Sequence, residues 1–383
     1  MSEYQYYEFR AIDQPLDEKA MQKLRDLSTR AHITPTSFTN EYNWGDFKGE
    51  PLKLMAEFFD AFLYVANWGT HEFMLKLPLR LINFELIKQY CYGDNVTAYK
   101  KGENLIFQFI SETEDPEWEE GEGWLSSLIT LRSDLLSGDY RCLYMGWLYG
   151  AQMDDFEDDE LEPPVPPNLD NLNRPLNSFA DFMGIDIDFI AVAAQKSASG
   201  EAHQAADQKA LTAWISNLPE KEKDHILLRL LKGHDPHLAP ELLQQYQRTV
   251  AIKDIDGADV KRRTVGELIS ERERHAAERK RRNAEKASSE KARKEREKAI
   301  IRKKYLNELS QRENQIWRQV DDLIKTKKQS DYDKAVKFLV DLRDINKGKS
   351  DGKAFKEKLD DIREKHSRKP SLIRRLKDAG LDG

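Results

Sequence analysis

The first 150 residues alternate between strand-like and helix-like hydrophobic patterns. Residues 4–10 are rich in aromatic side chains, and residues 72–77 alternate apolar with polar ones, so both segments are predicted to be strands. Residues 96–99 and 104–110 are short apolar runs separated by Lys-Lys-Gly-Glu, which predicts a β-hairpin. Helical spacing marks three further segments: 17–31, 52–62 and 124–136. Because no repeated βαβ unit is visible, we predict an acidic α+β domain over residues 1–151.

A different composition begins after this domain. Residues 152–175 combine a run of Asp and Glu with Pro-Pro-Val-Pro-Pro, and charge repulsion with stiff prolines predicts an extended, solvated linker. The acidic run lacks the glycine-shaped turn and the alternating ligands of a divalent-metal loop, so we assign no metal site to it. Apolar residues then recur at helical spacing over residues 176–256, which predicts a small helical module with its own core.

The most legible element is a long charged helix over residues 264–325. Thr264-Val265-Gly266-Glu267 matches a capping box, in which each outer side chain satisfies the backbone N–H of the other. Between residues 271 and 298 the non-polar side chains are almost all alanine, and charges pair at i,i+4. A helix of this kind is expected to stand in water rather than in a core. The pair Ser288-Ser289 is its weakest point by helix propensity.

An apolar stripe begins towards the end of this helix, and a helical tail follows over residues 330–383. We predict that the stripe is buried against another helix, either in a coiled coil with a second copy or folded back on the tail at Phe338 and Leu359. Short connections favour the second arrangement, but the oligomeric state stays open. The stripe consists of Leu306, Leu309, Ile316, Val320 and Leu323.

Charge divides the chain into two parts of opposite sign. The net charge is −7, but residues 1–250 carry 42 acids and 22 bases, whereas residues 251–383 carry 26 acids and 39 bases. An acidic body with a basic tail predicts that the tail contacts nucleic acid, an acidic protein partner or the acidic body of its own chain.

Cysteine count and hydropathy suggest where the protein works. Cys91 and Cys142 are the only cysteines, too few for a disulfide framework or an all-cysteine zinc site. The first residues lack the basic and apolar regions of a signal peptide, and no apolar stretch reaches the roughly 18 residues of a membrane span. We therefore expect a cytoplasmic protein with no membrane contact.

Motifs for known catalytic chemistry are missing from the sequence. It contains no glycine-rich phosphate loop, no Gly-x-Ser-x-Gly elbow and no His-Glu-x-x-His pair. His234-Asp-Pro-His237 is the only close histidine pair, and His225 precedes it; a zinc site would need more ligands, so we interpret the pair as a polar turn. We expect no metal and no cofactor, and we favour a non-catalytic role.

Two Asn-Trp-Gly triplets, at residues 43–45 and 67–69, are the best ligand-site candidates of the first domain. An indole beside a glycine turn can stack on a base, a sugar or a peptide, with polar groups close in sequence. The alternative, which we favour, is that both indoles fill the core and both glycines make turns. The candidate ligand residues are Trp44, Asp46, Trp68 and His71.

The basic part of the long helix is the other candidate. Residues 271–304 carry 15 bases and 7 acids, and clustered Lys and Arg are what phosphate-backbone binding needs. The segment lacks interleaved aromatic residues for stacking on single strands, and a solvated helix face explains such a charge run equally well. The candidate contact residues are Arg279, Lys280, Arg281, Arg282, Lys291, Arg293 and Lys294.

Several segments resemble known bacterial proteins. The opening YQYYEFRAID, the segment ITPTSFTNEYNWGDFKG, the linker EPPVPP and the ending RKPSLIRRLKDAGL are similar to a group of uncharacterised bacterial proteins. About the last 50 residues also carry Asp331-Tyr-Asp-Lys-Ala-Val, Leu359, Ile362, His366-Ser-Arg-Lys-Pro and Ala379-Gly-Leu. This pattern resembles the carboxy-terminal end of bacterial SWIM zinc-finger proteins, which implies a helical packing or docking module. The cysteines of the SWIM finger are missing from this region, so its zinc function is not carried over.

These features together predict a bacterial interaction or scaffold protein that presents a docking tail on a long charged helix. A protein partner is expected. The alternatives are a nucleic-acid-binding accessory protein that uses residues 271–304, and an unrecognised enzyme or ligand-binding domain near the Asn-Trp-Gly loops.

Overall fold

The chain folds into two compact units, residues 1–278 and residues 279–383. The computed structural model describes residues 3–91, 93–113, 116, 118–198, 201–233, 235, 237–251, 262–347 and 352–381. The predicted α+β domain, the all-helical region with a long helix and the helical tail are confirmed.

Within the described residues of the first unit, an antiparallel sheet of seven strands forms the centre of the fold. Its order is β2-β3-β1-β4-β5-β7-β6, and every neighbouring pair is antiparallel. The predicted hairpin is confirmed as β6 and β7, with Lys101 opposite Asn104 at its turn. The strands are β1 Gln5–Arg10, β2 His32–Thr34, β3 Ser37–Tyr42, β4 Ala61–Ala66, β5 Thr70–Pro78, β6 Val96–Lys101 and β7 Asn104–Glu112.

Helices cover both faces of this sheet. Tyr7, Phe9 and Phe62 belong to a core on one face, against α1 and α2, whereas Tyr6 and Leu63 belong to a core on the other face, against α4–α8 and the start of α12. The helices of this part are α1 Glu18–Leu27, α2 Pro51–Glu57, α3 Phe84–Ile87, α4 Trp124–Leu128, α5 Leu131–Leu136, α6 Arg141–Gln152, α7 Arg174–Met183, α8 Ile187–Ala194, α9 Glu201–Asn217, α10 Glu220–Lys232, α11 Leu238–Ala251 and α12 Val265–Ser310.

The predicted helix over residues 52–62 is only half right. Its first part forms α2, but the chain then turns at Phe58–Asp60 and continues as β4. Since β4 is covered on both faces, its sequence Ala-Phe-Leu-Tyr-Val-Ala is almost entirely apolar and shows no alternation. Strands β2 and β3 and helix α6 were not predicted, and α6 is buried along nearly its whole length.

The segment 152–175 is not the solvated spacer that its charge predicts. Its first acidic residues are exposed, but Glu162, Pro163 and Pro166 are buried, and Glu162 is only 2% exposed. Leu161 also forms a β-bridge with Thr264 at the start of α12. The reason is that Glu162 pairs with the buried Arg263, while Val165, between the prolines, packs against the core.

Arg263 holds this segment to the first turn of α12. Its Nη2 and Nε atoms donate to the two carboxylate oxygens of Glu162, each at 2.8 Å, and its Nη1 donates to Glu271 at 2.8 Å. The Tyr144 hydroxyl donates to the same Glu162 carboxylate. The predicted capping box is confirmed too: Glu267 N donates to Thr264 Oγ1 at 3.2 Å, and Thr264 N donates to Glu267 Oε2 at 3.1 Å.

The predicted helical module at residues 176–256 contains helices α7 to α11 up to residue 251, and residues 252–256 lie outside the described residues. Where it is described, it does not have the expected separate core. Helices α7 and α8 contribute Phe179, Phe182 and Ile190 to the core beneath the sheet. Helix α10 buries none of its residues, although it carries Leu227, Leu228, Leu230 and Leu231. A contact between the rings of Trp214 and Tyr246, 5.7 Å apart, joins α9 to α11.

Residues 279–383 have their own helical core. The predicted fold-back of the apolar stripe is confirmed, since Ile316 and Val320 pack with Leu339 and Leu359. The helices are α13 Glu313–Lys325, α14 Gln329–Asn346, α15 Gly352–Lys365 and α16 Pro370–Asp378.

The long helix is interrupted between α12 and α13, not at Ser288-Ser289. Packing of α13 on α14 sets this break, at Gln311 and Arg312, whereas the serine pair lies in an exposed stretch that stays helical. Within the described residues, no helix is both long and apolar enough to span a bilayer.

Candidate functional site

Three tryptophan-bearing segments meet at the amino-terminal end of β1. The register places Gln5 opposite Tyr42 of β3 and opposite Ala66 of β4, so the two loops that carry the Asn-Trp-Gly triplets leave the same end of the sheet. Gln5 Nε2 donates to Gly45 O at 3.3 Å, and Tyr4 N donates to Asn67 Oδ1 at 3.0 Å. The third segment, residues 118–123, lies over Tyr4.

The indoles at this end of the sheet are exposed, which contradicts our expectation that they fill the core. Trp44 is 78% exposed, Trp68 is 46% exposed and Trp118 is 62% exposed. In the second triplet the asparagine is the residue held in place: Asn67 Oδ1 accepts from Tyr4 N, and Asn67 N donates to Tyr4 O. The two glycines do provide turns, with φ of 75° at Gly45 and 92° at Gly69. We call Trp44, Trp68 and Trp118 together the tryptophan surface.

His71 lies in a groove of about 450 Å³ beside this surface. Its ring stacks on Phe182 with centroids 4.9 Å apart, its Nδ1 lies 2.8 Å from Phe182 O, and its Nε2 lies 3.3 Å from Glu119 Oε2. Trp118 lines the same groove and contacts the ring of Tyr4 at 5.2 Å. The structure therefore brings His71 together with Trp118 and Glu119, two residues that sequence reasoning missed.

Electrostatics favour a charged pair in the groove. Burial works against protonation of His71, but its hydrogen bonds to Glu119 and to Phe182 O outweigh burial and raise its pKa above the usual value. The hydrogen bond from His71 in turn lowers the pKa of Glu119. The surrounding segment is strongly acidic, because residues 112–122 contain seven Asp or Glu and no Lys or Arg.

Asp46 has a structural contact rather than a place in this groove. Its Oδ1 accepts a hydrogen bond from Gln5 Nε2 at 3.3 Å, while Gln5 Oε1 accepts from Tyr7 at 2.7 Å and from Tyr64 at 3.3 Å. Burial raises the pKa of Tyr64 to about 12, so its phenol stays protonated and donates. Asp46 thus helps to fix the loop of Trp44 against β1.

The histidine turn after α10 contacts the segment that follows β1. His237 is buried, and its Nε2 lies 3.0 Å from Asp13 Oδ2, which also accepts from Arg132 Nη2 at 2.6 Å. Burial opposes the charged form of Asp13, yet these two hydrogen bonds lower its pKa. His234 lies outside the described residues, whereas His225 is exposed on α10. Where the chain is described, no three His, Cys, Asp or Glu side chains cluster as metal ligands would.

The basic candidate residues lie on α12 in a segment that is exposed on every side. Each residue from 277 to 301 is exposed, and this segment contains ten Lys or Arg and five Asp or Glu. Some of its arginines face carboxylates one turn away, as in Arg281–Glu285 at 3.6 Å and Arg293–Glu297 at 3.8 Å. The expectation of a solvated helix is confirmed for this stretch. All seven predicted contact residues lie within it.

Sequence signals existed for part of what was missed. Trp118 stands inside the run of seven carboxylates, an unusual neighbourhood for a core aromatic residue. Nothing in the sequence linked Phe182 to His71, 111 residues apart along the chain. Comparisons with protein-family models, with curated proteins and with solved structures find no match to this chain. The resemblances described above therefore stay predictions.

Proposed function

We propose that this protein is a non-catalytic interaction protein and that the exposed part of α12 is a contact element for an acidic protein partner. The supporting observation is the exposure of residues 277–301 on every side of the helix. At 1.5 Å per residue this stretch is about 37 Å long, which is as long as many whole interfaces.

Such a helix has no tertiary packing to stabilise it. Most helical stability in proteins comes from packing of an apolar face, and exposed ion pairs contribute only about 0.3–0.5 kcal/mol each. The pairs Arg281–Glu285 and Arg293–Glu297 are of this exposed kind. This helix carries excess positive charge and has no apolar face. It is well suited to an acidic partner, because its Lys and Arg side chains are already exposed and no part of a core has to be opened for them to make contact.

The apolar residues of this stretch argue against a two-stranded coiled coil as its purpose. They are alanines up to Ala299, and only Ile300 and Ile301, which are 67% and 68% exposed, are large. A coiled coil needs large apolar residues at every a and d position over several heptads. Electrostatic contact is therefore favoured over helix pairing for residues 277–299.

A photo-crosslinking experiment in the native host tests this proposal. A benzoylphenylalanine at position 287 or 292, where the chain has exposed alanines, should crosslink to an acidic protein, and the same group at exposed position 18 should not. Lys291→Glu with Lys294→Glu should abolish the adduct. The matched control exchanges Arg281 and Glu285, which preserves net charge and the i,i+4 pair, and should retain it. Equal crosslinking at positions 18 and 287, or an adduct insensitive to charge reversal, would contradict the proposal.

Nucleic-acid binding is the second candidate, favoured by the four consecutive bases at Arg279–Arg282. It predicts anisotropy changes with a labelled 20-base-pair DNA or a 20-nucleotide RNA that weaken steeply between about 50 and 200 mM salt. Lys291→Glu with Lys294→Glu should reduce the salt slope by about two if both lysines contact phosphates. No binding at 50 mM salt to either probe would remove this candidate.

A further inference from the structure

The tryptophan surface of the first unit, Trp44, Trp68 and Trp118, combines three features that large exposed aromatic residues seldom share. All three indoles are at least 46% exposed, they stand on loops fixed to the same two residues, Tyr4 and Gln5, and one of them borders a groove. Tryptophan is depleted on ordinary surfaces and enriched at the energetic centres of protein interfaces.

These loops are held in place by named contacts. Gly121 N donates to the Tyr4 hydroxyl at 3.3 Å, and a Cβ on Gly121 would lie 2.3 Å from the Tyr6 ring, so this loop lies directly on β1. A Cβ on Gly69 would lie 2.4 Å from Thr113 O, which brings the second loop equally close to the end of β7. The indoles are thus displayed by fixed backbone, and little conformational entropy is lost when a partner covers them.

Charge narrows the choice of partner. Trp118 is followed along the chain by Glu119, Glu120 and Glu122. Glu120 and Glu122 lie within electrostatic range of the Tyr4 hydroxyl, and Glu119 Oε2 lies 3.3 Å from His71 Nε2. An indole face attracts cations through its quadrupole, and adjacent carboxylates add Coulomb attraction at the same place. A neutral sugar would stack on the indoles and donate its hydroxyls to the carboxylates, but it would gain no Coulomb attraction from them, and an apolar peptide would gain neither hydrogen bonds nor Coulomb attraction from the carboxylates.

We propose that the tryptophan surface binds a basic segment of a partner protein, with arginine or lysine side chains lying on the indoles and between the carboxylates. This surface shares no residue with the basic stretch of α12 and is opposite to it in charge, so the inference does not depend on the proposed function above. Lys48 is the one base close in sequence to Trp44, and it leaves the surface acidic overall.

The test is a titration of the full-length chain with a fluorescein-labelled (Gly-Arg)4 peptide at 50 mM salt, followed by anisotropy. A (Gly-citrulline)4 peptide has the same shape without charge, and maltohexaose tests for stacking on sugars. We expect the arginine peptide to bind at least tenfold more tightly than the citrulline peptide, and we expect no binding of maltohexaose.

Variants assign the binding to this surface. Trp118→Ala should weaken the arginine peptide about tenfold, in line with loss of a desolvated cation–π contact. Glu120→Gln with Glu122→Gln should weaken the affinity for the arginine peptide several-fold and leaves all three tryptophans unchanged. This double variant therefore tests the proposal even if Trp118→Ala does not fold. The matched control is Asp154→Asn with Asp159→Asn, in an exposed acidic run that has no exposed tryptophan, and it should change the affinity less than twofold.

Four results would overturn the proposal. They are the absence of arginine-peptide binding up to 1 mM, equal affinity for the citrulline peptide, equal weakening by the control pair and by the Glu120/Glu122 pair, and maltohexaose binding that Trp118→Ala abolishes while the arginine peptide does not bind.

Discussion

The buried pair of Glu162 and Arg263 makes a sharp prediction about stability. The Glu162 side chain is 2% exposed and that of Arg263 is 6% exposed, and the two form a bidentate ion pair. The Glu162 carboxylate also accepts a hydrogen bond from the Tyr144 hydroxyl. Burial, and then the charge of Glu162, raise the pKa of Tyr144 well above its usual value, so the phenol always donates. Glu162→Ala would leave the guanidinium and the phenol without these contacts in the core.

The expected magnitude follows from this burial. Removing one partner of a buried ion pair costs about 3–5 kcal/mol, because the other charge stays desolvated and uncompensated. Glu271 is partly exposed and lies 2.8 Å from Arg263 Nη1, so it still compensates part of the guanidinium charge in Glu162→Ala. We therefore expect a cost towards the lower end of this range. The triple variant Glu162→Met, Arg263→Met and Tyr144→Phe removes the three buried members of the network and leaves only the partly exposed Glu271, and we expect it to be within about 2 kcal/mol of the wild type.

Hydrogen exchange measured by mass spectrometry gives a local readout. The amides of Glu162 and Val265 donate at 2.9 Å to Arg263 O and Glu160 O, so their protection reports directly on this contact. We expect Glu162→Ala to lower their protection by about two to three powers of ten, and the exposed control Asp159→Ala to leave it unchanged. Urea unfolding should place the triple variant between wild type and Glu162→Ala. Protection in Glu162→Ala within a factor of five of wild type, or a triple variant less stable than Glu162→Ala, would refute the reasoning.

Three further predictions concern other parts of the chain. His71 and Glu119 should stabilise the fold most between about pH 4.5 and pH 6.5, the ordinary pKa values of the two groups. The pKa of His71 is raised, so its stabilisation is lost as pH rises through that pKa, and the pKa of Glu119 is lowered, so its stabilisation is lost as pH falls through that pKa. The difference in melting temperature between wild type and H71Q, measured over pH, should therefore be largest in that window. Gly69→Ala should destabilise the fold more than Gly45→Ala does, because its new Cβ would lie 2.4 Å from Thr113 O. A Cβ at Gly45 meets no atom within 4 Å, so Gly45→Ala should cost only about 1–2 kcal/mol for its positive φ. Equal urea midpoints for the two variants would contradict this prediction. Leu339→Ala, at a fully buried position of α14, should cost about 2–5 kcal/mol, and the exposed control Ile301→Ala should cost less than about 0.5 kcal/mol. Hydrogen exchange of the α14 amides measures both costs within residues 279–383 of the full chain.

Most elements of the fold could be predicted from periodicity, and the failures share a cause. Helices α13, α14 and α16 carry apolar stripes on one side, and the hairpin has a turn between its two runs. These elements could therefore be predicted from their hydrophobic patterns. Strand β4 was misread because helices cover both of its faces, which removes the alternation that identifies a strand. The interruption before α13 was missed because long-range packing on α14 decides it, and no Gly or Pro marks it.

The candidate site was predicted in composition but not in arrangement. The Asn-Trp-Gly triplets identified the correct loops, yet a tryptophan beside a glycine turn has equal access to core and solvent. At residues 67–69 the outcome depends on which side chain finds a backbone partner, and Asn67 finds two on Tyr4. Trp118 could have been added from its seven acidic neighbours, whereas the contact of His71 with Phe182 exists only because α7 packs beneath β5.

Two charge runs in this chain looked alike in the sequence and behave differently in the structure, and the difference has a physical origin. The acidic run of residues 154–162 ends beside prolines and Leu169, whose burial carries the last carboxylate inward to meet Arg263. The basic run of residues 277–301 has only small apolar residues before Ile300, so no burial offsets the desolvation of its charges and it stays in water. A charge run is therefore solvated only as far as its apolar neighbours allow. Both acidic segments carry a large aromatic residue, but Phe156 packs on Trp147, with ring centroids 5.1 Å apart, whereas Trp118 is 62% exposed. We therefore expect a cationic partner at Trp118, where carboxylates stand beside an exposed indole, and not at residues 154–159.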